Sequence, residues 1–161
     1  MNDKILGNLN DWKSDVQYKI IELNKYSRYY RLVNMVLVTI LATSTAGLGY
    51  MESMSLGVEV TNGNSDITLA FSAVKLCLII ISTIITSILT TVNPSKKAQA
   101  CYKCGKDYSE ILRVISSKID KFEIGFYENE MEKYSQFVEM YGAKEKSIIE
   151  DQPIILTPFI P

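Results

Sequence analysis

The stretch LCLIIISTIITSILTTVNPS, residues 76–95, carries no charge over twenty residues. A helix rising about 1.5 Å per residue covers roughly 30 Å in that length, the hydrocarbon thickness of a bilayer. A second run of the same length, LVNMVLVTILATSTAGLGYM at residues 32–51, is also uncharged. Together they predict an all-α membrane protein built on a two-helix transmembrane hairpin. Long amphipathic helices flank it on both sides, and an extended, proline-rich C-terminal tail follows. The expected divisions are an amphipathic helix at 1–31, the first span at 32–51, an acidic loop at 52–66, the second span at 67–93, heptad-patterned helices at 94–150 and an apolar tail at 151–161.

Charge is balanced overall, with 17 basic and 18 acidic residues, so its distribution carries the information and gives no sign of nucleic-acid binding. Residues 1–31 hold six basic and four acidic groups, whereas residues 52–66 hold Glu52, Glu59 and Asp66 and no basic group. Arg28 and Arg31 precede the first span, and Lys96, Lys97, Lys103 and Lys106 follow the second. The positive-inside rule then puts both termini in the cytosol and the acidic loop on the other face. The first apolar run begins about thirty residues in and is too long for a signal h-region, so it reads as an uncleaved anchor.

The second span is two-faced. At about 100° per residue, Ser82, Thr83, Thr86, Ser87, Thr90 and Thr91 share one half of the helix wheel, and Ile81, Ile84, Ile85, Ile88 and Leu89 share the other. Such a hydroxyl face serves either hydrogen bonding within the hairpin or the lining of water in an oligomeric pore. Lys75 is read as an interfacial lysine whose long stem lets the ammonium reach headgroups. The first span is rich in small residues, and the steps Ala42 to Ala46 and Thr43 to Gly47 place small groups one turn apart, where another helix can approach closely.

Before the first span, Tyr26, Arg28, Tyr29, Tyr30 and Arg31 form a tyrosine and arginine belt suited to the headgroup zone, joined there by Lys75, Lys96 and Lys97. Upstream, Leu9, Trp12, Val16, Ile20, Leu23, Ser27 and Tyr30 recur at steps of three and four, with Lys13, Lys19, Glu22 and Lys25 on other faces. The outer segment carries turn chemistry at Thr61-Asn62-Gly63-Asn64-Ser65, predicting a short hairpin with residues 56–60 and an N-cap at Ser65 or Asp66.

Asn93-Pro94 predicts a helix break with Pro94 at the first position of the next helix. There the pattern Ala98, Cys101, Gly105, Tyr108, Leu112, Ile115, Ile119, Phe122 forms a heptad seam, of which Tyr108, Leu112, Ile115, Ile119 and Phe122 are the packing residues. Gly125 marks an end, and the pattern resumes at Tyr127, Met131, Tyr134, Val138 and Tyr141 with Gly142 as a candidate C-cap. The seam packs on the N-terminal helix or on a neighbouring copy, and the pattern does not choose. In the tail, three prolines forbid a regular helix while Ile154, Ile155, Leu156, Phe159 and Ile160 are too apolar for a solvated end. It is expected to dock as a strap, on its own helices or on a partner protein.

Cys101 and Cys104 have C-x-x-C spacing, but the chain has no histidine and no second cysteine pair, so they read as reduced helix cysteines, as does Cys77. A site shared between two subunits stays open. No cofactor or metal is expected. With about 40 of 161 residues in spans, no separate enzyme domain fits, and histidine, a glycine-rich phosphate loop and convergent carboxylates are all missing.

Trp12, the belt at residues 26–31, the compact second span and the run Asn93-Pro94-Ser95-Lys96-Lys97 leading to Tyr108-Ser109-Glu110-Ile111-Leu112 resemble the SLATT superfamily of two-span proteins over about two thirds of the chain. The resemblance implies an oligomeric, pore-forming membrane effector of bacterial conflict systems, with similar chains in large DNA viruses that have internal membranes. The chain departs from that pattern in its apolar tail and in showing no sensor domain. Two functions follow as expectations. The first is a non-enzymatic membrane anchor or assembly protein, homo-oligomeric or part of a larger assembly, such as a minor structural protein tying a virion inner membrane to capsid proteins. The second is the pore-forming effector.

Overall fold

A computed structural model describes residues 2–58, 65–127 and 129–150, with side chains over 3–54, 70–127 and 129–150. The chain forms α1 (Asn2–Val58), α2 (Ser65–Val92), α3 (Pro94–Glu123) and α4 (Glu130–Glu150), with no strand among the described residues. The expected turn residues 59–64 and the tail residues Ile154, Ile155, Leu156, Phe159 and Ile160 lie outside them, as do the side chains of Ser65 and Asp66.

The first correction concerns α1. The polarity changes near residues 31 and 51 leave its backbone uninterrupted, and residues 56–58 are helical, so they form no strand of a short hairpin. No proline occurs before Pro94, and a hydrogen-bonded ladder propagates at little cost once nucleated, whichever solvent its side chains face. Of the residues expected in the loop 52–66, residues 52–58 and 65–66 are accordingly helical.

Two compact units result. One comprises Tyr30–Ser95, the other Met1–Tyr29 with Lys96–Pro161. The first is the helical hairpin of α1 and α2. The second is a three-helix bundle of the N-terminal part of α1 with α3 and α4, filled by Leu9, Val16, Cys101, Ile115 and Phe122, all essentially inaccessible.

The helix ends follow from local chemistry. Asn93 takes a left-handed conformation (φ 44°), which Asn tolerates better than most residues, and Pro94 opens α3 with its φ already set. At the other end of α3, Gly125 has φ 64°; its N–H donates to the Phe122 carbonyl (3.2 Å) and the Phe126 N–H to the Lys121 carbonyl (2.9 Å), the paired bonds of a Schellman cap. Gly125→Ala is expected to destabilise the bundle by about 1–2 kcal/mol, the cost of a Cβ in left-handed backbone, read as a lower denaturation midpoint. Gly142 is no C-cap. It lies inside α4, which runs on to Glu150 because Tyr141 and Ile148, on either side of it, are both buried.

Candidate functional site: a bare apolar hairpin and a tied bundle

In the hairpin, Leu37, Leu41, Ser44, Gly47, Leu48 and Met51 of α1 are half-buried or buried, and so are Phe71, Lys75, Leu78, Ser82, Ile85 and Leu89 of α2. Both sets step by three and four, the signature of two helices meeting along one seam. Gly47 marks the close approach, since a Cβ there would lie 3.4 Å from Leu78 Cδ1. Of the small residues in the first span, Ser44 and Gly47 face inward, while Ala42, Thr43 and Ala46 face outward.

The hydroxyl face of α2 divides at this seam. Ser82 lies on it, and its Oγ is buried with no hydrogen-bond partner among the described residues. Thr83, Thr86, Ser87, Thr90 and Thr91 are exposed, so the hairpin does not use them for packing. Thr83, Thr86 and Thr90 instead donate to the carbonyls of Ile79 (2.8 Å), Ser82 (2.7 Å) and Thr86 (2.9 Å) of their own helix. A hydroxyl satisfied in this way needs neither a second helix nor water. Ile79, Ile80, Ile81, Ile84 and Ile88 are exposed as well. The two helices are long and apolar enough to cross a membrane, and only 6 % of the apolar window of each is buried. A core helix of a water-soluble protein hides most of such a window.

Lys75 does not stand alone near the membrane surface. Its Nζ lies 3.4 Å from Glu52 Oε1, an ion pair between α2 and the extended end of α1. The belt residues separate by face: Arg28, Tyr29, Arg31 and Lys96 are exposed, Tyr26 and Lys97 are half-buried, and Tyr30 is buried. Tyr30 continues the seam spacing of Leu23 and Ser27, which turns it away from the position expected of a headgroup contact.

The bundle is tied by Trp12. Its ring stacks on Tyr141 (centroids 4.9 Å, 4° between planes) and Tyr134 (6.2 Å, 13°), and lies 6.2 Å from Phe137. Asn8 Nδ2 donates to the Tyr134 hydroxyl at 3.0 Å. With the half-buried Tyr134, the buried Phe137, Tyr141 and Ile148 mark the inner face of α4; Phe137 and Ile148 take the place of Met131, which is exposed, and Val138, which is half-buried, in the expected register. On α3, Tyr108, Ile115, Ile119 and Phe122 are buried as expected, but Leu112 is half-buried and Cys104 and Ile111 are buried too. The buried arc is wider than a heptad stripe because α3 meets two helices. It meets α1 beside Gly105, where a Cβ would lie 3.8 Å from Leu23 Cβ, and Ser27 Oγ donates to the Ala98 carbonyl at 3.1 Å. It meets α4 around a cleft of about 90 Å³ lined by Ile111, Val114, Phe137, Met140, Tyr141 and Lys144.

Lys19, expected on an outer face, is half-buried between Glu145 Oε1 (2.7 Å) and Asp15 Oδ2 (2.9 Å), with its Nζ 5.7 Å from the centre of the Tyr108 ring. Burial by itself pushes the ammonium down, but the hydrogen bonds to Glu145 and Asp15 outweigh it and hold Lys19 above its ordinary value. Burial, helped by the Glu145 carboxylate, pushes the Tyr141 phenol up to about 12. Both groups therefore keep protons in the folded state that an unfolded chain releases above pH ~10. Stability is expected to be level from neutrality to that point and then to fall, with Tyr141 contributing about 2–3 kcal/mol of the loss at ~1.4 kcal/mol per pH unit. Trp12 emission followed against pH checks this, and Tyr141→Phe should flatten the slope.

Cys101 and Cys104 are free thiols buried in the bundle, and burial pushes the Cys101 thiol up. Neither faces outward, so a site shared between subunits has no cysteine to use there. Among the described residues, no group of three or more His, Cys, Asp or Glu gathers to hold a metal ion.

No family model, curated protein or solved structure matches the chain. The geometry therefore carries the functional reading.

Proposed function

We propose that this protein is a non-enzymatic integral membrane anchor, which spans a bilayer by its hairpin and presents a three-helix bundle to partner proteins in the cytosol. The observation that carries the reading is the contrast between the two units. The hairpin leaves its apolar windows 94 % uncovered, as the complement of the buried 6 %, while the bundle fills its own core. Arg28, Arg31, Lys96, Lys97, Lys103 and Lys106 favour the cytosolic side for the bundle and both termini. Partner contact is assigned to the α3–α4 turn, where Ile124 and Phe126 are 75 % and 64 % exposed at the end of α3 remote from Lys96. Large apolar side chains together at such a tip are a common mark of protein association.

The SLATT resemblance supports a second reading, an oligomeric pore, and one observation favours it: the outward hydroxyls at Thr83, Thr86, Ser87, Thr90 and Thr91 are free of the hairpin seam. Self-satisfied hydroxyls weigh against it, because they lie in lipid without an unmet donor. Dye-loaded liposomes carrying the purified protein distinguish the two. The anchor retains the dye. Release that disappears when Thr83, Thr86 and Thr90 are changed together to Leu would replace the anchor with the pore.

A further inference from the structure

We infer that the α3–α4 turn of one copy of this protein seats in the α3–α4 cleft of a second copy, with Phe126 entering among Ile111, Val114, Phe137 and Met140. This names the occupant of the partner contact assigned above to that turn, and rests on that assignment. The cleft, of about 90 Å³, is lined by apolar side chains apart from Lys144, with Ile111 and Phe137 buried and Met140 exposed. A dry apolar cavity of about 150 Å³ holds one benzene ring. The cleft is of that order and takes the outer part of a single side chain. Met140 suits an aromatic guest, because a thioether makes favourable contacts with rings.

The turn supplies such a ring. Helix α3 ends at Glu123, and the cap at Gly125 leaves Ile124 and Phe126 exposed. Phe126 is held in place by its own chain. Lys121 Nζ lies 5.6 Å from the ring centre, the Tyr127 ring meets it edge-on at 5.6 Å, and the Phe126 N–H is bonded to the Lys121 carbonyl. A side chain already fixed by its neighbours gives up little freedom on binding. Its own cleft is out of reach, since Ile111 and Val114 lie nine to twelve residues before Glu123, about 14–18 Å along α3 at 1.5 Å per residue. The ring that fills the cleft must come from another chain.

Charge selects a second copy. Lys121 and Glu123 stand exposed beside the turn. At the cleft, Glu110 and Lys144 are 54 % and 45 % exposed and 3.7 Å apart. Turn and cleft thus each carry one cation and one anion, so Lys121 can pair with Glu110 of the next copy, and Glu123 with its Lys144, while Phe126 is seated. Complementary charge of this kind chooses partners and fixes their register. The contact is head-to-tail, so each copy in a pair still has a cleft or a turn to offer, and assembly continues until a ring closes. A small apolar solute would fill the cleft and leave Ile124 and Phe126 bare.

The test uses the full chain in phosphatidylcholine vesicles. A tagged copy with the photoreactive p-benzoylphenylalanine in place of Phe126 is mixed with an untagged copy and irradiated. A covalent link between tagged and untagged chains is expected, mapped to the tryptic peptide of residues 134–144, which holds Phe137 and Met140. In the untagged copy, Val114→Phe fills the cleft and should lower the yield about tenfold or more, as for the loss of one anchor residue. Phe126→Asp in that copy leaves the cleft intact and should not change the yield. Trp12 emission reports whether each bundle is folded; if Val114→Phe disturbs it, the peptide map and the Phe126→Asp arm decide. A link mapped to residues 122–133 of the second copy, or one lost with Phe126→Asp, marks a contact between two turns and overturns the inference. So does the absence of any link between copies. Irradiation in native membranes then judges the assignment beneath it: a link to a different protein leaves the turn a partner contact, and a link to no protein removes that as well.

Discussion

Trp12→Ala is expected to release α4 from the bundle. The indole is the shared stacking partner of Tyr134 and Tyr141 and touches Phe137, so its removal strips the contact that holds one helix to the other two. Truncating a large aromatic side chain in a packed site costs about 3–5 kcal/mol, a large part of the stability of a small domain. What remains to hold α4 is the Lys19–Glu145 and Lys144–Glu110 pairs, the Asn8–Tyr134 hydrogen bond and the packing of Phe137, Tyr141 and Ile148. Trypsin gives the readout, because Lys133, Lys144 and Lys146 lie on α4. Cleavage there should accelerate strongly while the hairpin stays in the membrane fraction. Trp12→Phe, which keeps a ring at the site, should fall between. Unchanged protection of α4 in Trp12→Ala would show that the cluster does not hold the helix.

Ile84→Asp should have the second large effect, on membrane insertion. Ile84 is exposed on the outer face of α2, about midway between Lys75 and Val92. In lipid, a carboxylate at mid-span costs about 2.5–3.5 kcal/mol on insertion scales, enough to lower the insertion equilibrium constant by roughly two to two and a half powers of ten. Carbonate-resistant membrane yield measures it. The same substitution at Ile124, exposed on the α3–α4 turn, should leave that yield unchanged, and Thr86→Leu should also be neutral, since the hydroxyl it removes is bonded only within its own helix. An Ile84→Asp chain that integrates as well as the parent would mean that this face does not meet lipid.

The two substitutions probe features of different legibility. The apolar runs, the break at Asn93-Pro94 and the helix end at Gly125 were readable because each depends on local chemistry: hydropathy over a window, a missing N–H with a fixed φ, a missing Cβ. Gly142 has the same local signal as Gly125 and yet lies within a helix. A glycine permits left-handed backbone without requiring it, at a cost of about 1 kcal/mol inside a helix, and the buried Tyr141 and Ile148 hold α4 helical on both sides.

Partner choice was less legible. The α3 seam was visible as a stripe, but a stripe describes one contact, and Cys104 and Ile111 became buried because α4 supplies a second. In α4 itself, the spacing from Tyr127 to Tyr141 competed with that of Tyr134, Phe137, Tyr141 and Ile148, and the contact of Trp12 with Phe137 and the burial of Phe137 and Ile148 selected the latter. Lys19 was placed off the apolar stripe of the N-terminal helix by its spacing. The i, i+4 partner Asp15 was there to be seen, but Glu145 lies 126 residues away, and no periodicity announces such a pair.

By itself, then, the sequence determined where the chain is apolar enough for a bilayer, where its helices break, and which flanks of the apolar runs carry positive charge, because these follow from residue chemistry over a few turns. Only the tertiary structure decided that the Ser/Thr stripe of α2 turns outward except at Ser82, that α1 continues unbroken through both changes of polarity, and that α3 packs against two helices of its own chain. Those outcomes depend on which faces meet across long stretches of chain, and a face is assigned only when its partner is in place.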